Sequence, residues 1–342
     1  MKRIIISLLA VAALAACTKS DVEYGQTEEI GFVPVAKMST KAAETTTDYP
    51  DALNMYVFAK AGLDSDSDKT VEVSECTEAY FNNAEFTISG TANVFKGVTS
   101  YYWPNVKQLI FSGYSKSGNV ASLSPTYDGT SITINGYEPG SGTVAKGDND
   151  LMWFPTCGPY GKPGTIGDDS DTDVNVVMQH ACAWVTINIK GDAVTGAAGT
   201  SWKILDLTFA SLSQSGNVSL GTTAQWTPDT ATEFDAYTKS EPTPLTTGYV
   251  DFTQLTYKDL IVVPQPTRTL SVKYSFVSQK GQNGAADIVI EEVKDIPLTY
   301  TGDQGWKPGV HYTYNITIST TEILVEPTVL VWAPTVAPDV TI

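Results

Sequence analysis

The chain has 342 residues, 17% of them charged, with 27 glycines, 18 prolines and a formal net charge of −17. So acidic a balance argues against nucleic acid and anionic membrane surfaces as partners and for solubility and mutual repulsion between copies. At about 100–200 residues per domain the length suggests two domains, and many Thr, Val, Ile and Tyr residues without a sustained helical apolar period predict an all-β chain of short strands and turns.

Residues 1–17, MKRIIISLLAVAALAAC, place Lys2 and Arg3 before an apolar run from Ile4 to Leu14 and small residues before Cys17. The run is too short for the ~20 residues that a bilayer requires, so it reads as a secretory signal. Leu14-Ala15-Ala16-Cys17 resembles a bacterial lipobox, which implies cleavage before Cys17, acylation of its sulfur and a start on the outer membrane. Two or three acyl chains hold firmly where one holds only marginally. Loss of Lys2 and Arg3 leaves 19 of the 21 basic residues against 38 acidic ones. Cys76, Cys157 and Cys182 remain, an odd number, so at most one disulfide can form and no disulfide framework is implied.

An apolar strand from Ile30 to Ala36 comes next, then a polar Thr-rich run that carries Lys37 and Lys41 and has no reason to fold. Strand candidates follow at Leu53–Ala59, Glu85–Ser89, Tyr101–Trp103, Gln108–Tyr114, Ser131–Asn135 and Leu151–Phe154. The acidic loop from Asp64 to Glu75 imitates a calcium loop, but Lys69 stands where the sharp turn needs Gly, and Val71 and Val73 alternate like a strand. A second run, Asp169, Asp171 and Asp173, lacks a downstream carboxylate at the right place, so no metal ligands are expected.

A stretch rich in Gly, Pro and acid before Asp173 reads as a boundary. It divides the mature chain into an N-terminal β-sandwich, residues 42–173, and a C-terminal one, residues 174–342. The second half opens with one long strand expected over Val174–Ile189, followed by candidates at Lys203–Ser211, Asn217–Leu220, Lys258–Val263, Leu270–Phe276, Asp287–Ile290 and Tyr312–Ser319. His180 and His311, the only histidines, lie in strand patterns and read as hydrogen-bonded packing residues. Arg268 is the sole arginine left after the signal, and no nucleophile elbow, zinc helix or phosphate loop occurs. No catalytic residue and no cofactor are expected, although a glycosidase pair of carboxylates would leave no signature in spacing. The tryptophans and the Tyr101-Tyr102-Trp103 run read as core rather than as a sugar platform.

The tail, EPTVLVWAPTVAPDVTI, has apolar residues at strand-like positions while Pro327, Pro334 and Pro338 remove donors that an interior strand needs. A strand that can pair on one side only, at a chain end, suits pairing with another molecule, or an edge position on its own domain.

The ordered series YYWP…LIFSGY, MQHACAWVTINI, ILDLTFASLSQSGNVSL, DLIVVPQP…LSVKYSF and GWKPGVHYTYNITIS is similar to the fimbrillin family, the type V pilins. The resemblance runs from about Ile30 to the C-terminus. It implies two transthyretin-like β-sandwich domains in tandem, proteolytic removal of residues 18–41 at the surface, and assembly of many copies with accessory fimbrial subunits by strand exchange. The removable strand would carry Ile30, Phe32, Val33 and Val35. Relatives are cut after arginine; here STKAAE offers Lys41–Ala42 to a surface protease, with Lys37 as second choice. The donor strand would run from Val325 through Val329, Leu330, Val331, Trp332, Val336 and Val340 to Ile342. Adhesion to host or bacterial surface ligands follows from the same resemblance. A glycan-binding surface lipoprotein, and an anchor or tip subunit that does not polymerise, share these features of composition and stay open. Replacing Cys17 by Ser should abolish labelling of the protein by a palmitate analogue in cells; unchanged labelling would refute the lipid anchor.

Overall fold

The structure is a computed structural model that describes residues 28–34, 36–37, 54–89, 94–116, 123–139, 150–162, 173–191, 200–249, 259–278, 288–302, 304–319, 323–331 and 335–336. The regular structure of these residues is all strand, as the composition predicts, apart from one short 3-10 turn at Val73–Glu75.

The largest sheet has eight strands. In spatial order they are β10 (Asp173–Val176), β1 (Gly31–Pro34), β5 (Val94–Gly97), β4 (Glu78–Ser89), β3 (Asn54–Gly62), β6 (Gln108–Lys116), β9 (Met152–Tyr160) and β11 (Gln179–His180). Its two edge strands, β10 and β11, are nearly consecutive in sequence. Three residues can span at most about 11 Å, whereas the edges of a flat eight-stranded sheet stand roughly 34 Å apart. The sheet is therefore rolled. Residues alternate across it with period two: Met55, Val57, Ala59 and Ala61 of β3 point into the roll, and Phe58 points out.

The outer face of the roll packs against a four-stranded sheet ordered β15 (Ala224–Pro228), β14 (Gly216–Leu220), β8 (Ile132–Tyr137), β7 (Thr126–Tyr127). Phe58, Tyr114, Trp153, Ile132, Ile134, Val218 and Leu220 form that core. Two indoles fasten it: Trp153 Nε1 donates to Gly221 O at 2.9 Å and Trp226 Nε1 to Ala181 O at 2.6 Å.

The rest is a sandwich of two four-stranded sheets. One is ordered β17 (Asp259–Val262), β12 (Ala183–Gly191), β20 (Val310–Ile318), β21 (Ile323–Val331); the other β16 (Thr232–Pro244), β13 (Thr200–Leu212), β18 (Thr269–Ser278), β19 (Ile288–Pro297). Alternate residues Val185, Ile187 and Ile189 of β12 and Tyr312, Tyr314 and Ile316 of β20 meet Ile204, Phe209, Leu270 and Val272 across the gap. Trp306 fills its centre, donating to Tyr314 Oη at 3.0 Å.

Four expectations change. Val174–Ile189 is not one strand but β10, β11 and β12, which belong to different sheets; Val177 is exposed in the first break, and in the second the Ala181 amide bonds Leu151 O at 2.8 Å. Tyr101–Trp103 holds only an isolated bridge between Glu29 and Tyr102. Val73 lies in the 3-10 turn rather than a strand, because Glu75 reaches back to the amides of Ser65 and Glu72. Finally, pairing crosses the expected boundary at Asp173: β10 and β11 complete the roll, and the β14–β15 hairpin joins β8. The flank of β8 away from β7 is paired by β14 of the second half, not by a strand of the first.

Candidate functional site: the β1 groove and the C-terminal edge strand

β1 occupies the seam of the roll. It pairs antiparallel with β5, Gly31 opposite Lys96 and Phe32 opposite Phe95, and parallel with β10 from Gly31–Asp173 to Pro34–Val176. The ladder extends outward: the Ile30 amide donates to Tyr101 O at 2.8 Å, and Glu28 O accepts the Trp103 amide at 3.1 Å. Ile30 and Phe32 are both 0% exposed. The Phe32 ring meets Phe86 and Phe111 edge-on at 5.0 and 5.2 Å and lies 5.9 Å from Phe154. A T-shaped contact puts the positive ring edge against a negative face, adding about 0.5–1.5 kcal/mol to the burial.

The opposite side of β1 is built differently. Lys96 forms an ion pair with Asp173 across Gly31, and its Nζ also donates to Glu29 O at 3.3 Å. A side chain at position 31 would overlap Asp173 Oδ1 and Lys96 Nζ. Glycine therefore lets β5 and β10 clasp each other over the strand that separates them. β10 has no other sheet neighbour among the described residues, so β1 alone supplies its ladder.

The tail makes a weaker attachment. β21 pairs antiparallel with β20 over nine residues, from Ile323–Ile318 to Val331–Val310, and its other flank is the edge of the sheet. Val325 is partly buried against the sandwich core, but Val329 is 39% and Leu330 59% exposed. Pro327 stands opposite Tyr314, and an edge strand tolerates its missing amide proton. A further pair, β2 (Ala36–Lys37) with β22 (Thr335–Val336), sets Ala36 against Val336 and Lys37 against Thr335. The continuations of β1 and of the tail thus touch each other.

Of the residues expected to act, Ile30, Phe32 and Val33 come together in the seam, and Val325, Val329, Leu330 and Val331 share the edge strand. Val336 lies in β22. Cys17, Val35, Lys41, Ala42, Trp332, Val340 and Ile342 lie outside the described residues. Sequence reasoning missed Lys96, Asp173 and Gly31; a glycine inside an apolar strand pattern was the one available signal of close approach.

Other polar candidates serve packing. His180 Nδ1 lies 2.5 Å from Asp150 Oδ2 in the interior, and His311 stacks on Trp184 at 3.6 Å while its Nε2 meets Thr186 Oγ1 at 2.8 Å. Trp103, Trp153, Trp184, Trp202 and Trp306 are buried. In the acidic loop, Asp64 and Glu75 accept amides of the loop itself, from Ser67 and Lys69 and from Ser65 and Glu72.

A family model described as fimbrillin-like matches residues 40–332. The chain belongs to the fimbrillin-like family. The family consists of fimbrial structural proteins rather than enzymes. Among solved structures, a fimbrial protein of Bacteroides vulgatus is 14% identical, with a TM-score of 0.56 over 90% of this chain and 100% of that one. A candidate cell adhesion protein of Bacteroides uniformis is 19% identical, with a TM-score of 0.50 over 90% and 98%. Identities this low support the shared fold alone. No curated protein matches the chain.

Phe32→Ala should lower the stability of the full-length precursor by about 3–5 kcal/mol, read as a lower urea midpoint. An unchanged midpoint would mean that the seam does not depend on this ring.

Proposed function

We propose that the protein is a structural subunit of a surface fimbria, exported as an outer-membrane lipoprotein through Cys17, cut after Lys41, and polymerised by strand exchange into an extracellular filament. The reading rests on one contrast. Ile30 and Phe32 of the β1 segment are wholly buried, yet a polar run carrying Lys41 links that segment to the rest of the chain; β21 keeps apolar side chains in water and is paired along one flank only.

Burying Ile30 and Phe32 contributes roughly 3–6 kcal/mol together. Removing β1 forfeits that, leaves β10 without a sheet partner and bares one edge of β5. Releasing Val329 and Leu330 from β21 forfeits far less, since both are exposed already. A tail from a neighbouring copy, laid into the vacated seam, restores ladder and core together.

The pairing directions support a head-to-tail order. β10 runs toward β11 and so toward β12 and the sandwich, and β1 is parallel to it. The mouth of the groove, at Ile30, therefore faces away from the sandwich. β20 is parallel to β12, with Ile318 opposite Gly191 at the far end, and the tail starts from there. The 24 residues from Ser319 to Ile342 reach roughly 80 Å when extended. A contact between opposite ends of a molecule does not close on itself and propagates as a filament.

Partners on this reading are other copies, accessory fimbrial subunits, a surface protease and, for adhesion, ligands on host or bacterial surfaces. A tip subunit would have no use for a donor tail. A glycan-binding role is the weaker reading, because the tryptophans that could stack on sugars are mostly buried.

Deleting Val329–Ile342 from the precursor should leave a secreted, folded monomer that forms no heat-labile ladder on SDS gels of surface fractions. Long fibres from the deletion variant, or failure of that variant to fold, would overturn the donor-strand reading. N-terminal sequencing of the wild-type polymer should begin at Ala42, and a blocked or uncut N-terminus would overturn the processing step.

A further inference from the structure

The groove and the tail specify their register. We propose that, in the assembled state, the tail of one copy enters the β1 groove of the next with an offset of 300 residues, so that Leu330, Trp332 and Pro334 stand where Ile30, Phe32 and Pro34 stand in the precursor. This inference rests on strand exchange as the mode of assembly and adds which residues fill which positions.

The first argument is sequence self-similarity. Ile30-Gly31-Phe32-Val33-Pro34-Val35-Ala36 and Leu330-Val331-Trp332-Ala333-Pro334-Thr335-Val336 share an aliphatic residue, an aromatic residue two later, a proline two after that, and a small or aliphatic residue at the end. The match runs in one chain direction. That is also the direction in which a tail leaving the far end of one sandwich would enter the next groove at its mouth, antiparallel to β5 and parallel to β10.

The second argument is the shape of the Phe32 position. Three rings, Phe86, Phe111 and Phe154, stand 5.0, 5.2 and 5.9 Å from the Phe32 centroid, so its loss leaves an aromatic-walled hole. From Glu326 to Ile342 the only aromatic residue is Trp332. Shifting the tail by two residues would put Pro334 or Leu330 into that hole, and a shift of one would turn the apolar face outward.

One position differs in kind: Val331 falls where Gly31 lies under the Lys96–Asp173 clasp. The obstructing atoms are the ends of two flexible side chains, so the clasp opens in the polymer while β5 and β10 stay bridged by the new strand. The ion pair then belongs to the precursor.

Cysteine pairs test the register in polymers assembled from the full-length precursor by its own host. Gly31 is the register partner of Lys96, and Val33 that of Asn175, an exposed residue of β10. Val331→Cys with Lys96→Cys, and independently Ala333→Cys with Asn175→Cys, should give a reductant-sensitive covalent ladder. The crossed pairs, 331 with 175 and 333 with 96, are each two residues out and should not link. The Asn175 pair leaves the clasp untouched, so the test survives if Lys96→Cys impairs folding. Stronger linking by a crossed pair would overturn the register while leaving strand exchange intact. No linking by any of the four pairs in polymers that still form would overturn strand exchange itself. Trp332→Ala should reduce polymer at least about tenfold; undiminished polymer would refute Trp332 as the residue that fills the Phe32 position.

Discussion

Closure of the rolled sheet depends on four residues that are not continuous with the strands around them. β1 joins β10 to β5, and without it the seam has a hydrophobic floor of Phe86, Phe111 and Phe154 and no lid. Sheets ordinarily end at an edge that faces water. Here the missing strand lies one place in from the edge, so its loss exposes core as well as ladder. A buried strand near a chain end, joined to its domain by a polar run, makes the domain conditional: complete while the segment stays, and open to substitution when it goes.

The two halves of the proposed exchange differ in how they hold their strands. β1 is fixed by packing on one side, by the Lys96–Asp173 clasp on the other, and by backbone ladders along both flanks. β21 has one ladder, and the sandwich barely covers its side chains. A strand attached mainly by backbone hydrogen bonds gains only a modest net stability, because water competes for the same groups. The tail can therefore leave at moderate cost, while the groove has no comparable option. β2 and β22 add a local link between the two, since the continuation of the departing segment pairs with the continuation of the tail.

Much of this was legible in the sequence, and the gaps have physical causes. Period-two alternation marks β20, which faces a core on one side along its length, and the later part of β12, whose first part is buried on both faces. The prolines of the tail signalled an edge, and Ile30 to Ala36 read as an apolar strand. Its burial in the seam did not follow from pattern: β1 pairs with β10 across some 140 residues of chain, a distance over which local periodicity carries no information. The β14–β15 hairpin is hidden for the same reason, joining β8 from about 80 residues away. The run VNVVMQHACAWVTINIK misled differently. Its two breaks, at Val177–Met178 and Ala181–Cys182, contain no Gly or Pro, so nothing local punctuates a path that leaves one sheet edge, touches the opposite edge and enters the sandwich. Gly31 is intelligible only once Lys96 and Asp173 are seen to meet over it.

The remaining free edges bear on how, in the proposed cycle, such a chain would stay monomeric before it is cut. β19 is a ten-residue edge strand with Ile288, Val289, Ile290 and Val293 exposed, which by itself invites pairing with another copy. Its side toward the core, however, carries Glu292 and Lys294 opposite Tyr274 and Val272. Tyr274 donates to Glu292 Oε2 at 2.7 Å, and that bond, with Lys294 nearby, holds the Glu292 carboxyl below its usual range. A strand added beside β19 would have to cover these charges. β21 protects its own edge with Pro327 and with Glu326 on the exposed strand. Both outer edges thus resist casual addition, and the acidic net charge keeps copies apart. The β1 seam has no such protection. Its floor is aromatic and apolar, and removal of β1 leaves β10 without a ladder and one edge of β5 bare. In the proposed cycle, the most receptive edge in the molecule is the one that proteolysis creates, which ties the onset of assembly to export and cutting rather than to concentration alone.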